Sequence, residues 1–203
     1  MKYLCFALLL MLHSTLFAAY ANNDEQEEKQ SFNRPFLYIT TSTGVNNNTA
    51  ILGFNLEAPI NDKISVDAGL GTGTWNHKFY IGGKYYFMQR RGAFALGAGV
   101  TYAIGTRNHD YYIVTIFGEE TREFFNKNAQ TNAFLAAYKF WDLGKKRRNR
   151  FYLQLGWSQS LNTGDKITQL TGNPISQDSK NRISSSAPGG PIVAWGFSFG
   201  IRR

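Results

Sequence analysis

Between residues 93 and 105 two kinds of side chain alternate. Phe94, Leu96, Ala98, Val100, Tyr102 and Ile104 occupy one set of positions; Ala93, Ala95, Gly97, Gly99, Thr101 and Ala103 occupy the other. A period of two describes a strand with two unlike faces. One face is apolar and aromatic, the other nearly stripped of side chain. A soluble sheet would carry Lys, Glu or Arg on its wet face, not a column of Gly and Ala. Small residues suit a crowded barrel interior, with the large apolar ones turned out to lipid.

The same alternation recurs along the chain. In 49–58, Leu52, Phe54 and Leu56 oppose Gly53, Asn55 and Glu57, and in 63–71, Ile64, Val66 and Leu70 oppose Ser65 and Asp67. In 78–87, Phe79, Ile81, Tyr85 and Phe87 oppose Lys78, Tyr80, Lys84 and Tyr86. The run 131–141 is less clean: Phe134, Ala136, Tyr138 and Phe140 are read as the outward set and Lys139 as inward. In 150–160, Phe151, Leu153, Leu155 and Trp157 alternate with Tyr152 and Gln154; in 191–201, Trp195, Phe197 and Phe199 alternate with Gly196, Ser198 and Gly200. The run 36–43 is β-rich with an ambiguous facing. These make eight strands, most near the ~9–11 residues that a tilted membrane strand needs. No segment of helical period follows the N-terminal run. The prediction is therefore all-β: an eight-stranded antiparallel up-and-down transmembrane β-barrel after an N-terminal signal peptide.

Connection lengths agree with that topology. With both chain ends on the periplasmic side, the inward connections 59–62, 88–92 and 142–149 are short to moderate, and the outward excursions 106–130 and 161–190 are long. Short periplasmic turns and longer external loops are the expected asymmetry.

Composition refines the picture. At 203 residues with 15% aromatic side chains and 20 Gly, the chain is sized for one β-rich domain. The mean hydropathy of -0.32 does not oppose a membrane barrel, whose polar half is turned inside. The apolar run 3–17 follows Lys2 and precedes Ala19-Tyr20-Ala21, the pattern of a secretory signal peptide over 1–21. An acidic leader, 22–35, precedes the barrel at 36–203. Cys5 lies inside the signal segment, so the mature chain has no cysteine for zinc or redox chemistry. The net charge of +8 gathers in Arg90-Arg91, in Lys145 to Arg148 with Arg150, and in Arg202-Arg203, all on the periplasmic side of the predicted topology. Export makes nucleic acid an unsuitable partner for these runs.

Strand count, alternation, loop asymmetry and the closing Trp195-Gly196-Phe197-Ser198-Phe199-Gly200-Ile201 resemble the small eight-stranded outer-membrane barrels, the family of the OmpA membrane domain and OmpX. The resemblance covers about 36–203 and contains no diagnostic motif. It implies the outer membrane of a Gram-negative bacterium, a monomer in lipid, and structural, adhesive or host-interaction roles, with lipid-modifying catalysis in some members.

Candidate chemistry is sparse. Glu57, Asp67, Lys84 and Lys139 are expected to point inward and form a buried ionic network, because charges in a low-dielectric lumen must pair. His77 and His109 are the histidines left after cleavage. A lipid-modifying enzyme would need one of them beside a Ser and a carboxylate at the rim. The favoured reading is non-catalytic, with no cofactor and no metal. A soluble lipocalin-like carrier, with the apolar face inside, is the remaining alternative. The segment Tyr111, Tyr112, Ile113, Val114, Thr115, Ile116 and Phe117 is strongly β-forming, and with a turn near Gly118 it predicts a hairpin. That hairpin either reaches a protein or host-surface partner through the 106–130 loop or folds over the barrel mouth as a plug.

Overall fold

The computed structural model describes residues 35–87, 94–144, 148–170, 175–185 and 187–202. The expected signal segment, the expected leader apart from Pro35, and the basic residues Arg90, Arg91, Lys145 to Arg147 and Arg203 lie outside the described residues.

Eight strands close on themselves. They are β1 (Leu37–Val45), β2 (Leu52–Pro59), β3 (Ile64–Gly73), β4 (Asn76–Tyr86), β5 (Phe94–Ala103), β8 (Gln130–Leu143), β9 (Asn149–Ser160) and β11 (Gly190–Ile201). The order around the barrel is β1-β11-β9-β8-β5-β4-β3-β2, and every neighbouring pair is antiparallel. Closure removes the sheet edges that an open antiparallel sheet would leave unpaired.

The outward face of the wall is apolar. Leu52, Phe54, Leu56, Leu70, Ile81, Leu96, Trp157, Trp195 and Phe197 are exposed, whereas Thr40, Asn55, Asp67, Lys84, Gln154 and Ser198 are buried inside. Phe94 and Leu155 also face outward rather than meeting in a dry centre. This inverts the pattern of a water-soluble barrel and matches a lipid-facing one. A carrier with an apolar interior does not fit.

Inward glycines make room for the aromatic filling. A Cβ built on Gly97 would lie 2.7 Å from the Tyr138 ring. One on Gly196 would meet the Tyr152 ring at 2.7 Å and the Thr41 carbonyl at 2.3 Å. The small-residue column of β5 is thus the floor on which rings from β8 lie.

Strand β8 is where alternation misled. Its inward residues are Phe134, Ala136, Tyr138 and Phe140, all buried, and Lys139 faces outward with Leu135 and Trp141. Residues directly opposite across antiparallel strands share a face. Tyr138 stands opposite Ala95 and Gln154, and Lys139 opposite Phe94 and Leu153. Both faces of β8 are apolar, so hydrophobicity alone did not distinguish them.

The two long excursions come together at one end of the barrel, here called the loop end. They supply β6 (Thr106–Val114), β7 (Glu120–Lys127) and β10 (Ile167–Gln169), joined in the order β10-β7-β6, and a helix, α1 (Gln177–Ser185). The helix corrects the expectation of none. Its N-terminus is capped by Ser176, whose Oγ accepts from the Ser179 amide at 3.3 Å. Asp178 in the first turn and Arg182 in the last complement the helix dipole. Ile183 of α1 and Ile175 before it pack on Ile113 and Phe125 in a small separate core.

Candidate functional site

The barrel lumen holds most of the buried polar groups, and they stack in layers. Nearest the turn end, Glu57 of β2 faces Arg150 of β9 and Lys84 of β4. Glu57 Oε2 accepts from Arg150 Nη2 at 2.6 Å and from Lys84 Nζ at 2.9 Å, and Tyr86 Oη donates to Glu57 Oε1. Lys84 Nζ also donates to Asp67 Oδ2 at 2.6 Å, and Tyr80 Oη donates to the same oxygen at 2.8 Å. Glu57 and Arg150 are each only 1% exposed. Two carboxylates thus meet two cations, so the cluster is internally balanced. Aromatic faces complete the cage: the Arg150 guanidinium lies 3.9 Å from the Tyr38 ring centroid and 4.3 Å from that of Phe140, and Lys84 Nζ lies 5.1 Å from that of Tyr138.

The expected network therefore differs in two members. Glu57, Asp67 and Lys84 come together, while Lys139 is outside, its ammonium 4.2 Å from the Phe94 ring centroid. Its place is taken by Arg150, which the charge pattern had grouped with the basic turn. Position in the alternation of β9, on the side of Tyr152 and Gln154, was the signal that marks it as inward.

Above this cluster the lumen is filled by a loop. Asn47, Asn48 and Thr49, between β1 and β2, are buried inside the mouth. Positive φ at Asn46 (54°) and Ala50 (64°) turns the chain in and out again. Asn47 Nδ2 donates at 2.9 Å to both Ser42 Oγ and Thr49 Oγ1, Asn48 Nδ2 donates to Tyr138 Oη at 3.2 Å, and Lys78 Nζ donates to the Asn47 carbonyl at 2.8 Å. Between this loop and the ionic cluster remains a space of about 10 Å³, bordered by Asn48, Asn55, Tyr80, Lys84, Tyr152 and Gln154. That is room for one water at most.

The hairpin of β6 and β7 stands clear of the mouth. Tyr112 is 81% and Phe117 76% exposed, with Val114 and Ile116 also exposed, whereas Tyr111 and Ile113 turn toward the small core under α1. The plug is thus the Asn47–Thr49 turn and not this hairpin. Arg122 donates to Asp110 across the pair, which holds the Asp110 carboxyl below its ordinary range. His109 packs edge-on against Tyr111, centroids 4.9 Å apart, and burial, seconded by the Lys127 charge, holds its pKa below 6.5. His77 is exposed on the outward side of β4. Neither imidazole is bonded to a Ser among the described residues.

No family model and no curated protein matches the sequence. Among solved structures, the chain is similar to Acinetobacter baumannii CarO, with a TM-score of 0.51 and 12% identity over 85% of this chain and 100% of that one. The fold is that of a small outer-membrane β-barrel. The N-terminal β-barrel domain of Pseudomonas aeruginosa OprF also aligns, at a TM-score of 0.45 and 9% identity over 81% of this chain and 95% of the domain. The exposed Phe, Leu and Trp of the wall match the apolar outer belt of that fold, and the two long excursions crown one end of the strands. Here that crown is the β6-β7-β10 sheet with α1.

Proposed function

We propose that this chain is a non-catalytic integral outer-membrane barrel of a Gram-negative bacterium, with both termini periplasmic, serving envelope structure and surface interaction. The observation that carries the reading is the filled lumen: an ionic cluster, a layer of Tyr rings and a buried Asn-Asn-Thr turn leave about 10 Å³ between them. A wall of eight strands is just wide enough for its own side chains. General diffusion through it has no path.

Interaction then falls to the loop end. The proposed contact surface is the outer face and tip of the β6-β7 hairpin, where Tyr112, Val114, Ile116 and Phe117 are exposed. Clusters of exposed aromatic and aliphatic side chains are features that protein partners use.

The test is reconstitution of the mature protein in lipid vesicles, followed by solute-flux and planar-bilayer measurements. The expected outcome is heat-modifiable gel migration with no flux above protein-free vesicles. Steady passage of small sugars or ions would overturn the closed-barrel reading.

A further inference from the structure

Lys78 is the buried cation that the ionic cluster leaves out. Its side chain is 4% exposed, yet its ammonium meets no carboxylate among the described residues; it donates to the Asn47 carbonyl. A neutral donor would hold that carbonyl as well and would avoid burying an uncompensated charge, which is costly in a protein interior. The charge calls for an anion.

The place for one adjoins it. A cleft of about 60 Å³ opens between the β1–β2 and β3–β4 connections, lined by Lys78, Asn46, Ile51, Thr74, Trp75 and Pro188. The other polar groups around it are committed. Asn46 Oδ1 accepts from the Gly189 amide at 3.0 Å, Asn76 Nδ2 donates to the Gly105 carbonyl at 3.0 Å, and Trp75 Nε1 donates to the Asn128 carbonyl at 2.8 Å. A second ammonium, that of Lys127, lies 5.3 Å from the Trp75 ring centroid and donates to the Thr74 carbonyl at 2.6 Å, which adds to the positive potential. The cleft thus offers one charged donor and three apolar walls. Below it the Asn47–Thr49 turn closes the lumen, so the cleft is a dead end and not the start of a channel.

We propose that this cleft binds a short-chain monocarboxylate, its head group on Lys78 Nζ and its tail against Trp75, Ile51 and Pro188. A charge-assisted bond fixes the head, and the small volume sets the limit on the tail.

Trp75 reports on the site. It is buried, whereas Trp141, Trp157 and Trp195 are exposed on the lipid-facing wall. Sodium propionate titrated into the refolded full-length protein in detergent is expected to give a saturable change in Trp fluorescence, matched by calorimetric heat. Propionamide, which keeps the shape and loses the charge, and sodium chloride at equal concentration are expected to give none. Lys78→Met, checked for heat-modifiable migration, is expected to weaken propionate binding by about tenfold or more. Should that variant not fold, the contrast between propionate and propionamide on the native chain decides alone. The proposal is overturned if no saturable response occurs, if propionamide or chloride matches propionate, or if a folded Lys78→Met binds unchanged.

Discussion

Glu57 carries two roles in a single side chain: it neutralises Arg150 and shares Lys84 with Asp67. A buried pair is not a large net source of stability, but breaking one leaves an unpaired charge and typically costs about 3–5 kcal/mol. Glu57→Gln is therefore expected to destabilise the barrel by about that amount, read by urea unfolding in lipid vesicles. Lys139 is the contrasting case. It lies on the outward face, so Lys139→Met is expected to leave stability unchanged or raise it, since a cation on a lipid-facing wall is a cost. Equal losses from the two variants would mean that Lys139 belongs to the cluster after all. The alternation sets Glu57, Asp67 and Lys84 on the inward side because each sits on a strand whose two faces differ sharply, and the three side chains meet in the lumen. It lost Arg150 because the residue opens its strand directly after a basic run, where charge reads as a solvated turn. At Gly196, overpacking against Tyr152 and the Thr41 carbonyl gives a third expectation: Gly196→Ala should cost about 1–3 kcal/mol in the same unfolding measurement.

Among the elements, the eight wall strands were readable from period two, because lipid outside and a packed lumen inside impose opposite demands on successive residues. The facing of β8 was not, since rings are wanted on both of its sides. Cross-strand pairing would have resolved it: the outward Phe94 stands opposite Lys139. Helix α1 was invisible for another reason. Gln177–Ser185 has one large apolar residue, Ile183, and many Ser, Asn and Asp side chains of modest helix propensity, so no stripe exists to detect. The helix is held by its Ser176 cap and by the packing of Ile175 and Ile183 on a sheet drawn from the other excursion. Ile183→Asp is accordingly expected to unfold the loop-end unit while leaving the wall intact, seen as rapid protease cleavage in 106–130 with unchanged heat-modifiable migration. Acid should loosen the same unit. His109 binds a proton less readily folded than unfolded, so the penalty is absent above 6.5 and grows as pH falls below it. Asp110, held low by Arg122, contributes stability above its ordinary 3.8 that is lost as pH falls through its lower folded value. Both groups act in one direction, and the protection of β6 amides, taken relative to the intrinsic exchange rate at each pH, should fall from about pH 7 to about pH 5 through the histidine alone.

At the scale of the whole molecule, the lumen is closed by two devices of different strength. The ionic cluster is fixed by wall strands on every side. The Asn47–Thr49 turn is fixed by side-chain bonds to Ser42 and Tyr138 and by the Lys78 ammonium on its carbonyl. Weakening the first lowers the stability of the wall; removing the second need not, because the turn is a loop whose departure leaves every wall ladder intact. Replacing Asn47 and Asn48 together by Gly deletes the bonds to Ser42, Thr49 and Tyr138 and frees the backbone of the turn. The expected result is a barrel that still migrates heat-modifiably and still shows no steady conductance in planar bilayers, because Arg150, Glu57, Lys84 and their rings remain across the lumen. Combining that change with Glu57→Gln should bring in brief, cation-repelling openings, since Lys84 and Arg150 would then outnumber the carboxylates. Steady conductance from the loop change alone would place the true barrier at the mouth and make the buried cluster a support for the wall and nothing more.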